Sequence, residues 1–324
     1  MRIFITGGSG FLGQRLIRRL CAEGHDVRAL SRSAEADVLL SAAGAVPVRG
    51  SLTDILSWAR SLDHQDILVH AASPVDVWGR WSTFQRDVVE ASLQLYQVAC
   101  QHRVKRFIYI SSESVLQGSS PLLDIDETAN YPLEPNSVYG RGKKLAEQAL
   151  LTHAGATTLI ILRPPFIWGA GDHQSGALLD KVRQRRFVWV DQGESPMEMV
   201  HVDNLVEAIR LAMNRGMHKS IYYVTDDHPM TVRRFLGTLM EAHGLTPPQA
   251  SLPSLLVRPL APMVEGLWRL LELSGTPPLS RFQLDFIALP RRYRIDRIRR
   301  DLGYHPIRSF EEGMAEIRAY PPSA

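Results

Sequence analysis

The first 24 residues restrict the possible folds more than any other part of the chain. A short apolar run, residues 2–6, leads directly into a glycine cluster, and apolar residues then recur at helical spacing up to Gly24. Gly7, Gly10 and Gly13 are three residues apart. In a dinucleotide site the first glycine permits a tight turn, the second lets the backbone approach a pyrophosphate, and the third lets the helix pack on its strand. The segment therefore predicts a strand, a phosphate-binding turn and a helix.

The same alternation of strands and helices continues as far as residue 162. Apolar runs predict further strands at 27–30, 45–48, 66–70, 107–110 and 158–162, with helices near 53–62, 83–102 and 138–150. Strands that alternate with helices form right-handed βαβ units and a parallel sheet that is covered on both faces. The sequence thus predicts the α/β class, with a doubly wound parallel sheet of the Rossmann type.

The pattern changes after Arg163, where helical segments predominate. They are expected at 176–186, 203–214, 231–243 and 309–318, with short strands near 187–190 and 220–224. We expect residues 1–168 to form the nucleotide-binding domain, with segments of about 200–225 returning to it. Residues 169–324 are then a smaller, mainly helical lobe for the substrate.

Composition excludes several classes of protein. The formal net charge is only +3, which gives no reason to expect a nucleic-acid partner. Two cysteines rule out a disulfide scaffold, and the histidines lack metal-ligand spacing, so no metal is expected. No apolar run reaches the roughly 18 residues that would span a bilayer. With no signal-peptide pattern at the N-terminus, we expect a cytoplasmic protein.

The candidate catalytic groups are a tyrosine, a lysine and a serine. Tyr139 and Lys143 are four residues apart, so a helix presents them on one face. A phenol is a weak acid–base group at neutral pH, and a neighbouring ammonium lowers its pKa. Ser111 and Ser112 follow the predicted strand 107–110, at the sheet edge where ligands bind in such folds. A serine hydroxyl there can hold a substrate oxygen while Tyr139 exchanges a proton.

The end of the second strand bears on the choice of cofactor. An acidic residue at this point would hold the ribose hydroxyl of NAD, whereas an arginine accommodates the additional phosphate of NADP. The chain has Ser31 and Arg32 here and no acid. NADP is therefore favoured over NAD.

Taken together, these motifs resemble the extended short-chain dehydrogenase/reductase superfamily. The resemblance covers residues 2 to about 318 and is carried by the following segments: Thr6-Gly-Gly-Ser-Gly-Phe-Leu-Gly13, His70-Ala-Ala72, Ser111-Ser112, Tyr139-x-x-x-Lys143, Leu162-Arg-Pro164, Trp168-Gly169, His201-Val-Asp-Asn204 and Asp301-Leu-Gly-Tyr-His-Pro306. Residues 70–79, 163–172 and 277–282 are most similar to the 3β-hydroxysteroid dehydrogenase branch, which includes bacterial 2-alkyl-3-oxoalkanoate reductases.

The resemblance implies a role for each matching residue. Tyr139 is expected to be the acid–base, Lys143 to lower its pKa and hold the nicotinamide ribose, and Ser112 to be the catalytic hydroxyl. The cofactor is expected to contact Gly7, Gly10, Phe11, Leu12, Gly13, Arg32, Ser51, Leu52, Ala71, Ala72, Tyr139, Lys143, Pro164 and Ile167. Trp78, Glu113 and Trp168 are expected on the substrate side.

Two positions depart from the family pattern. Asp87 stands where the family usually has an asparagine that orients the active-site backbone, and Ser51 stands where an aspartate often contacts adenine. Glu113, which follows Ser112, is interpreted either as a second acid–base group or, more readily, as a solvated turn carboxylate. Because the next residue is Ser114, an elimination reaction of the dehydratase type is disfavoured.

These inferences favour an NAD(P)-dependent enzyme that interconverts a secondary alcohol and a ketone on an apolar, sterol-like or 3-oxoacyl-like small molecule. One alternative is a nucleotide-sugar epimerase or reductase, which the arginines of residues 281–300 would suit. Another is a catalytically inactive protein that senses NAD(P). Superfamily members are often dimers, so a homodimer is also expected.

The apolar segment 255–273 has two readings. Its leucines and Met263 recur at helical spacing, so it is either an amphipathic helix packed on the lobe, which we favour for its position, or a lid or weak membrane-surface contact.

Overall fold

We analysed a computed structural model, which describes residues 1–74, 77–172, 175–273 and 275–320. In chain order the strands are β1 (Arg2–Thr6), β2 (Asp26–Ser31), β3 (Val46–Arg49), β4 (Ile67–His70), β5 (Arg106–Ile110), β6 (Leu122–Ile125), β7 (Thr158–Arg163), β8 (Phe166–Trp168), β9 (Trp189–Val190), β10 (Pro196–Met197), β11 (Met199–His201), β12 (Ser220–Tyr223), β13 (Met230–Thr231), β14 (Ser251–Leu252) and β15 (Arg291–Tyr293). The α-helices are α1 (Phe11–Ala22), α2 (Ala34–Ala43), α3 (Trp81–Phe84), α4 (Ala91–Gln101), α5 (Val138–Thr152), α6 (Gly176–Arg183), α7 (Val202–Ala212), α8 (Val232–Ala242), α9 (Ser254–Val257), α10 (Leu260–Leu270), α11 (Arg281–Ala288), α12 (Asp296–Leu302) and α13 (Phe310–Ala319).

The centre of the molecule is a seven-stranded sheet in the order β3-β2-β1-β4-β5-β7-β12. Every neighbouring pair in it is parallel. The strand order reverses direction beside β1, the first strand, so a crevice forms at the carboxyl ends of β1 and β4. The predicted α/β class and doubly wound sheet are confirmed.

Both faces of the sheet are buried, as the apolar strands require. Ile3 and Ile5 point to one side, where they join a core with Leu16 and Ile17 of α1. Phe4 points to the other side, where its ring stacks on Trp58 at 5.3 Å between ring centres. A run of consecutive apolar residues therefore serves two cores at once.

Two segments of the first half differ from the prediction. Helix α2 was not predicted, because Val38 and Leu39 are exposed and no apolar stripe marks the helix. Ser33 nevertheless starts it, since its hydroxyl accepts a hydrogen bond from the Ala36 backbone N–H. The helix predicted near 53–62 is instead two short 3₁₀ turns, separated at Trp58, whose φ of −121° is not helical.

The C-terminal part forms the smaller, mainly helical lobe. Its core gathers large aromatic and sulfur-containing side chains from β8, β9, α8 and α13, including Trp168, Trp189, Phe235 and Met314. Two short strand pairs connect the lobe to the large domain. Strand β8 pairs with β11, and β15 pairs with β6. The cleft between the two parts therefore lies next to the turn after β5.

The side chain of one buried asparagine makes several hydrogen bonds to the C-terminal part of the chain. Asn204, at the start of α7, accepts hydrogen bonds from the backbone N–H groups of Ile307 and Arg308, both at 2.8 Å. Its amide nitrogen donates to Asp226 at 2.6 Å and to the Arg308 carbonyl at 2.9 Å. Since Asn204 is fully buried, water cannot replace these bonds.

We predict that Asn204→Ala lowers the free energy of unfolding by about 3 kcal/mol, because it leaves buried backbone groups without partners. The comparison is Asn214→Ala, an exposed asparagine just beyond the same helix, which is expected to change stability little. Urea denaturation of both variants measures the difference. Equal stabilities would show that the amide does not hold the chain end.

Candidate active site

The glycine turn lies at the carboxyl end of β1 and leaves no room for side chains. Gly7 has a φ of +78°, and a Cβ there would be 2.6 Å from the backbone nitrogen of Ala72. A Cβ on Gly13 would be 2.6 Å from the Cα of Gly8. The first and third glycines thus have the predicted conformational and packing roles.

The first turn of α1 has the properties of an anion site. Gly10 precedes the helix, no side chain caps it, and its first turn contains no acidic residue. Phe11 is half-buried and Leu12 is buried in the core, so both fix the helix beside the turn. The uncapped N–H groups and the bare glycine backbone fit the pyrophosphate of a nicotinamide dinucleotide.

The second strand ends in a way that suits a phosphate. Arg32 is exposed directly after β2, whereas Ser31 is buried and donates a hydrogen bond to the Ser33 carbonyl at 3.0 Å. Ser51 is paired with Thr53, with 2.8 Å between the hydroxyl oxygens, and Leu52 packs against the core around Trp58. Arg32 therefore provides the cation at this corner.

A buried histidine supports the other side of the turn, and sequence reasoning gave it no role of its own. His70 ends β4, immediately before the half-buried pair Ala71 and Ala72. Its Nδ1 lies 2.7 Å from the Thr6 hydroxyl and its Nε2 lies 3.0 Å from that of Ser92. Burial, with a smaller contribution from the positive charge of Lys143, lowers the pKa of His70 to about 3. The neutral ring thus connects β1, β4 and α4 by hydrogen bonds.

The three predicted catalytic residues converge at the ends of β5 and α5. Ser112 follows β5, and its hydroxyl accepts a hydrogen bond from the Ser114 backbone N–H at 3.2 Å. The Ser112 side chain also acts on Tyr139, in the first turn of α5, as a hydrogen-bonding neighbour that lowers its pKa. Lys143 lies one turn further along the helix, with Nζ 5.9 Å from the centre of the Tyr139 ring.

The sequence predicted that Lys143 lowers the pKa of Tyr139, and the structure does not show this effect. Burial raises the pKa of Tyr139 to about 12, with Glu113 contributing in the same direction and the Ser112 hydrogen bond opposing it. Lys143 is buried and donates to the Ile110 carbonyl at 2.7 Å, so its ammonium is directed at the strand rather than at the phenol. Burial also lowers the pKa of Lys143 to about 7, and Glu147 opposes that shift.

A buried ion pair behind the lysine was missed in the sequence. Glu147 and Arg163 approach to 2.6 Å, and neither side chain is more than 1% exposed. The Tyr131 hydroxyl donates to Glu147 at 2.7 Å. The signal was present, because Tyr139, Lys143 and Glu147 are successive turns of one helix face.

Glu113 is not the solvated carboxylate that we favoured. It is 5% exposed and lies 3.6 Å from Nη1 of Arg291, which is itself buried. Gln117 donates to it at 2.5 Å, and the Tyr293 hydroxyl also donates to it. Because Arg291 and Tyr293 belong to β15, the turn that carries Ser112 is attached to the second lobe.

The cleft beside α5 contains only one of the two tryptophans expected there. Trp78 is half-buried and lines a small open pocket together with Val77, Val138, Arg269 and Phe282. The substrate role of Trp168 does not fit the structure, which buries its ring in the lobe core with the indole N–H donating to Asp226 at 2.8 Å. The large Trp168 ring therefore serves the packing of the lobe core.

The remaining cofactor candidates lie around the cleft. Pro164 is buried, and its carbonyl accepts the Glu113 backbone N–H at 3.0 Å. Ile167, in β8, is half-buried.

Asp87 lies in a π-helical segment, Gln85–Glu90, and its carboxylate is held by Arg86 at 2.6 Å.

One cluster of possible metal ligands occurs among the described residues. Ligand atoms of His201, Asp203 and Glu316 lie within 4.8 Å of one another. Arginines already neutralise the acids, because Arg15 lies 2.6 Å from Glu316 and Arg308 lies 3.5 Å from Asp203. The arrangement is that of an ion-pair cluster.

Comparison with known proteins gives a consistent result. The family model described as the NAD dependent epimerase/dehydratase family matches residues 3–224. The 4-hydroxy-2-methyl-3-oxo-4-farnesyl-3,4-dihydroquinoline-1-oxide ketoreductase of Stigmatella aurantiaca is 34% identical, with 100% of this chain and 97% of the relative covered. A 2-alkyl-3-oxoalkanoate reductase of Stenotrophomonas maltophilia is 30% identical, with 98% and 99% covered.

Among solved structures, the UDP-glucose 4-epimerase of Thermotoga maritima superposes with a TM-score of 0.75. The two chains are 22% identical, over 99% of this chain and 98% of that one. At this identity the likeness concerns the fold. The resemblance drawn from the sequence motifs is confirmed, including the branch that contains 3-oxoalkanoate reductases.

We predict that the His70 imidazole makes the fold sensitive to acid. Its pKa is about 3 in the folded chain and 6.5 ordinarily, so between these values only the unfolded chain takes up the proton. Its stabilising contribution is therefore present above pH 6.5 and is lost as the pH falls. The stability difference between the wild type and His70→Gln should shrink by about 2 kcal/mol from about pH 7 to about pH 5.

Urea denaturation at the two pH values measures that difference. His228→Gln, which replaces an exposed histidine, is the control and should show a nearly constant difference. A constant difference for His70→Gln as well would contradict the buried neutral ring.

Proposed function

Because this chain belongs to the NAD-dependent epimerase/dehydratase family of oxidoreductases, we propose that it is an NADP-preferring reductase of an apolar ketone, with Ser112, Tyr139 and Lys143 as its catalytic residues. The observation that carries the proposal is the convergence of Ser112, Tyr139 and the buried Lys143 at the ends of β5 and α5. The expected homodimer remains a prediction.

The mechanism assigns one task to each side chain. When bound, the nicotinamide supplies a hydride to the carbonyl carbon. The Ser112 hydroxyl holds the carbonyl oxygen, and Tyr139 gives that oxygen its proton as the alcohol forms. Since its pKa is about 12, Tyr139 is protonated at neutral pH, which is the state that reduction needs. Lys143, whose ammonium donates to the Ile110 carbonyl rather than to the phenol, would hold the nicotinamide ribose.

The cleft supports an apolar substrate. Four of its nine lining residues, Val77, Trp78, Val138 and Phe282, are apolar or aromatic, and the other five are polar or charged. Ser137 and Val138 immediately precede Tyr139. Both curated relatives described above are named as reductases of ketones that bear a farnesyl or an alkyl group. A 3-oxoacyl or sterol-like ketone matches these features better than a nucleotide sugar.

The end of β2 supports NADP. Arg32 is exposed there, in the place where NAD enzymes of this fold carry an acid. The family is named for NAD. The proposed preference for NADP therefore rests on Arg32 and not on the family name.

We predict that Tyr139→Phe lowers kcat for ketone reduction by about a hundredfold to ten-thousandfold, because the proton donor is lost. Cofactor affinity, measured by fluorescence titration, should stay close to that of the wild type. Tyr320→Phe, which changes a half-exposed tyrosine at the chain end, is the control. An unchanged kcat in Tyr139→Phe would reject the mechanism.

We predict that Arg32→Ala raises the KM for NADPH by about tenfold and leaves the KM for NADH nearly unchanged, since a charge-assisted hydrogen bond to the phosphate is removed. Arg28→Ala, which removes an exposed arginine of β2, is the control. If both cofactors lose affinity equally, Arg32 does not read the phosphate.

A further inference from the structure

The second lobe reaches the turn of Ser112 through polar side chains and not through the leucines of residues 255–273. The sequence favoured a helix there whose apolar side packs on the lobe, and this prediction is wrong as to which side is buried. The leucines of the segment and Met263 are 42 to 84% exposed, whereas the buried side of α10 carries Ala261 and Glu265. The contacts that connect the lobe to the turn come instead from strand β15.

Glu113 is the residue through which β15 meets the turn after β5. The Tyr293 hydroxyl donates to one of its carboxylate oxygens, and Nη1 of Arg291 lies 3.6 Å from the other. Gln117, at the far end of the same turn, donates to that second oxygen at 2.5 Å. Because the Glu113 side chain is almost fully buried, water does not take the place of these donors.

The Ser112 hydroxyl belongs to the same turn. It accepts a hydrogen bond from the Ser114 backbone N–H at 3.2 Å, across Glu113. The Glu113 backbone N–H donates to the Pro164 carbonyl at 3.0 Å. Since Glu113 lies between the two residues that form the Ser112 hydrogen bond, a displacement of Glu113 also moves the backbone that orients the hydroxyl.

The opposite side of the turn rests on α5, directly beside Tyr139. A Cβ on Gly140 would lie 2.5 Å from the carbonyl oxygen of Ser114, so this close approach requires glycine. The turn is therefore held between two elements, α5 at Gly140 and β15 at Glu113. If the contact with β15 is lost, only one of the two supports remains.

Strand β15 is also connected to the wall of the small pocket beside α5. Arg291 donates to the Phe286 carbonyl of α11, and its guanidinium lies 4.2 Å from the centre of the Phe286 ring. Phe282 of the same helix lines the pocket together with Trp78. One set of contacts thus leads from the pocket wall through Arg291 and Glu113 to the turn of Ser112.

We propose that Glu113 is a positioning residue, through which the second lobe holds the Ser112 hydroxyl in place beside Tyr139. This role rests on the proposed function, because it requires that Ser112 holds the carbonyl oxygen of the substrate. Both carboxylate oxygens of Glu113 already accept hydrogen bonds from Tyr293 and Gln117. Glu113 therefore acts through Ser112 and does not exchange a proton with the substrate itself.

The test uses Tyr293→Phe, which removes one hydroxyl and keeps the ring that stacks on Tyr223 at 4.6 Å. This variant should lower kcat for ketone reduction by about ten- to a hundredfold, the size of effect that a misplaced catalytic group produces. The KM for NADPH should stay nearly unchanged. Tyr222→Phe is the matched control, because Tyr222 is also buried and donates to a carboxylate, Asp301, at 3.3 Å. It should leave kcat unchanged.

A double-mutant cycle separates positioning from a general loss of folding. In Ser112→Ala protein, adding Tyr293→Phe should lower kcat by less than about twofold, because no hydroxyl remains to be positioned. An equal loss in both backgrounds would overturn the proposal, since Tyr293 would then act on the fold as a whole. An unchanged kcat in Tyr293→Phe alone would overturn it as well.

Hydrogen exchange of the chain without cofactor or substrate gives a readout that is independent of activity. The backbone N–H groups of Leu116 and Gln117 donate within the turn, to the carbonyls of Glu113 at 3.1 Å and of Ser114 at 3.2 Å. They should exchange about tenfold faster in Tyr293→Phe and at the wild-type rate in the Tyr222 control. Unchanged exchange in Tyr293→Phe would contradict the proposal.

Failure of this proposal can be told from failure of the proposed function. Loss of turnover in Ser112→Ala and Tyr139→Phe, with none in Tyr293→Phe, would reject the positioning role alone. Full turnover in Ser112→Ala and Tyr139→Phe would reject the proposed function and the positioning role with it.

Discussion

The buried ion pair between Glu147 and Arg163 holds together the elements on which the rest of the site depends. Glu147 belongs to α5, the helix of Tyr139 and Lys143, and Arg163 ends the neighbouring strand β7. Removing one partner of such a pair typically costs roughly 3–5 kcal/mol, because the other charge stays buried alone. The pair thus fixes α5 against the carboxyl edge of the sheet, and Glu147 lies one helical turn beyond Lys143.

From this pair, contacts continue through aromatic rings to the second lobe. Tyr223 lies within 3.5 Å of Arg163 through its hydroxyl, and its ring stacks on Tyr293 at 4.6 Å between centres. Tyr293 in turn donates to Glu113, the neighbour of Ser112. The turn that carries Ser112 and helix α5 are therefore positioned by one continuous set of buried polar groups, which explains why Glu113 is protected from solvent.

The sequence predicted the sheet and the placement of Tyr139 and Lys143 on one helix face, because both follow from local spacing. Gly7, Gly13 and the pair Tyr139 and Lys143 lie within single elements, so their geometry is readable from residue intervals. What the sequence did not predict depends on distant partners. Glu113 is buried by β15, and the burial of Trp168 depends on α8 and α13. Helix α2 lacks an apolar stripe, so the N-cap residue Ser33 was its main signal in the sequence.

The central claim is that Tyr139 and the bound cofactor together reduce an apolar ketone. The most direct measurement follows deuterium from C4 of labelled NADPH into the product of a 3-oxoacyl or sterol-like ketone, with mass spectrometry as the readout. The account predicts one deuterium on the new carbinol carbon with wild type and almost none with Tyr139→Phe. Turnover of a nucleotide sugar with no transfer to any apolar ketone would contradict it.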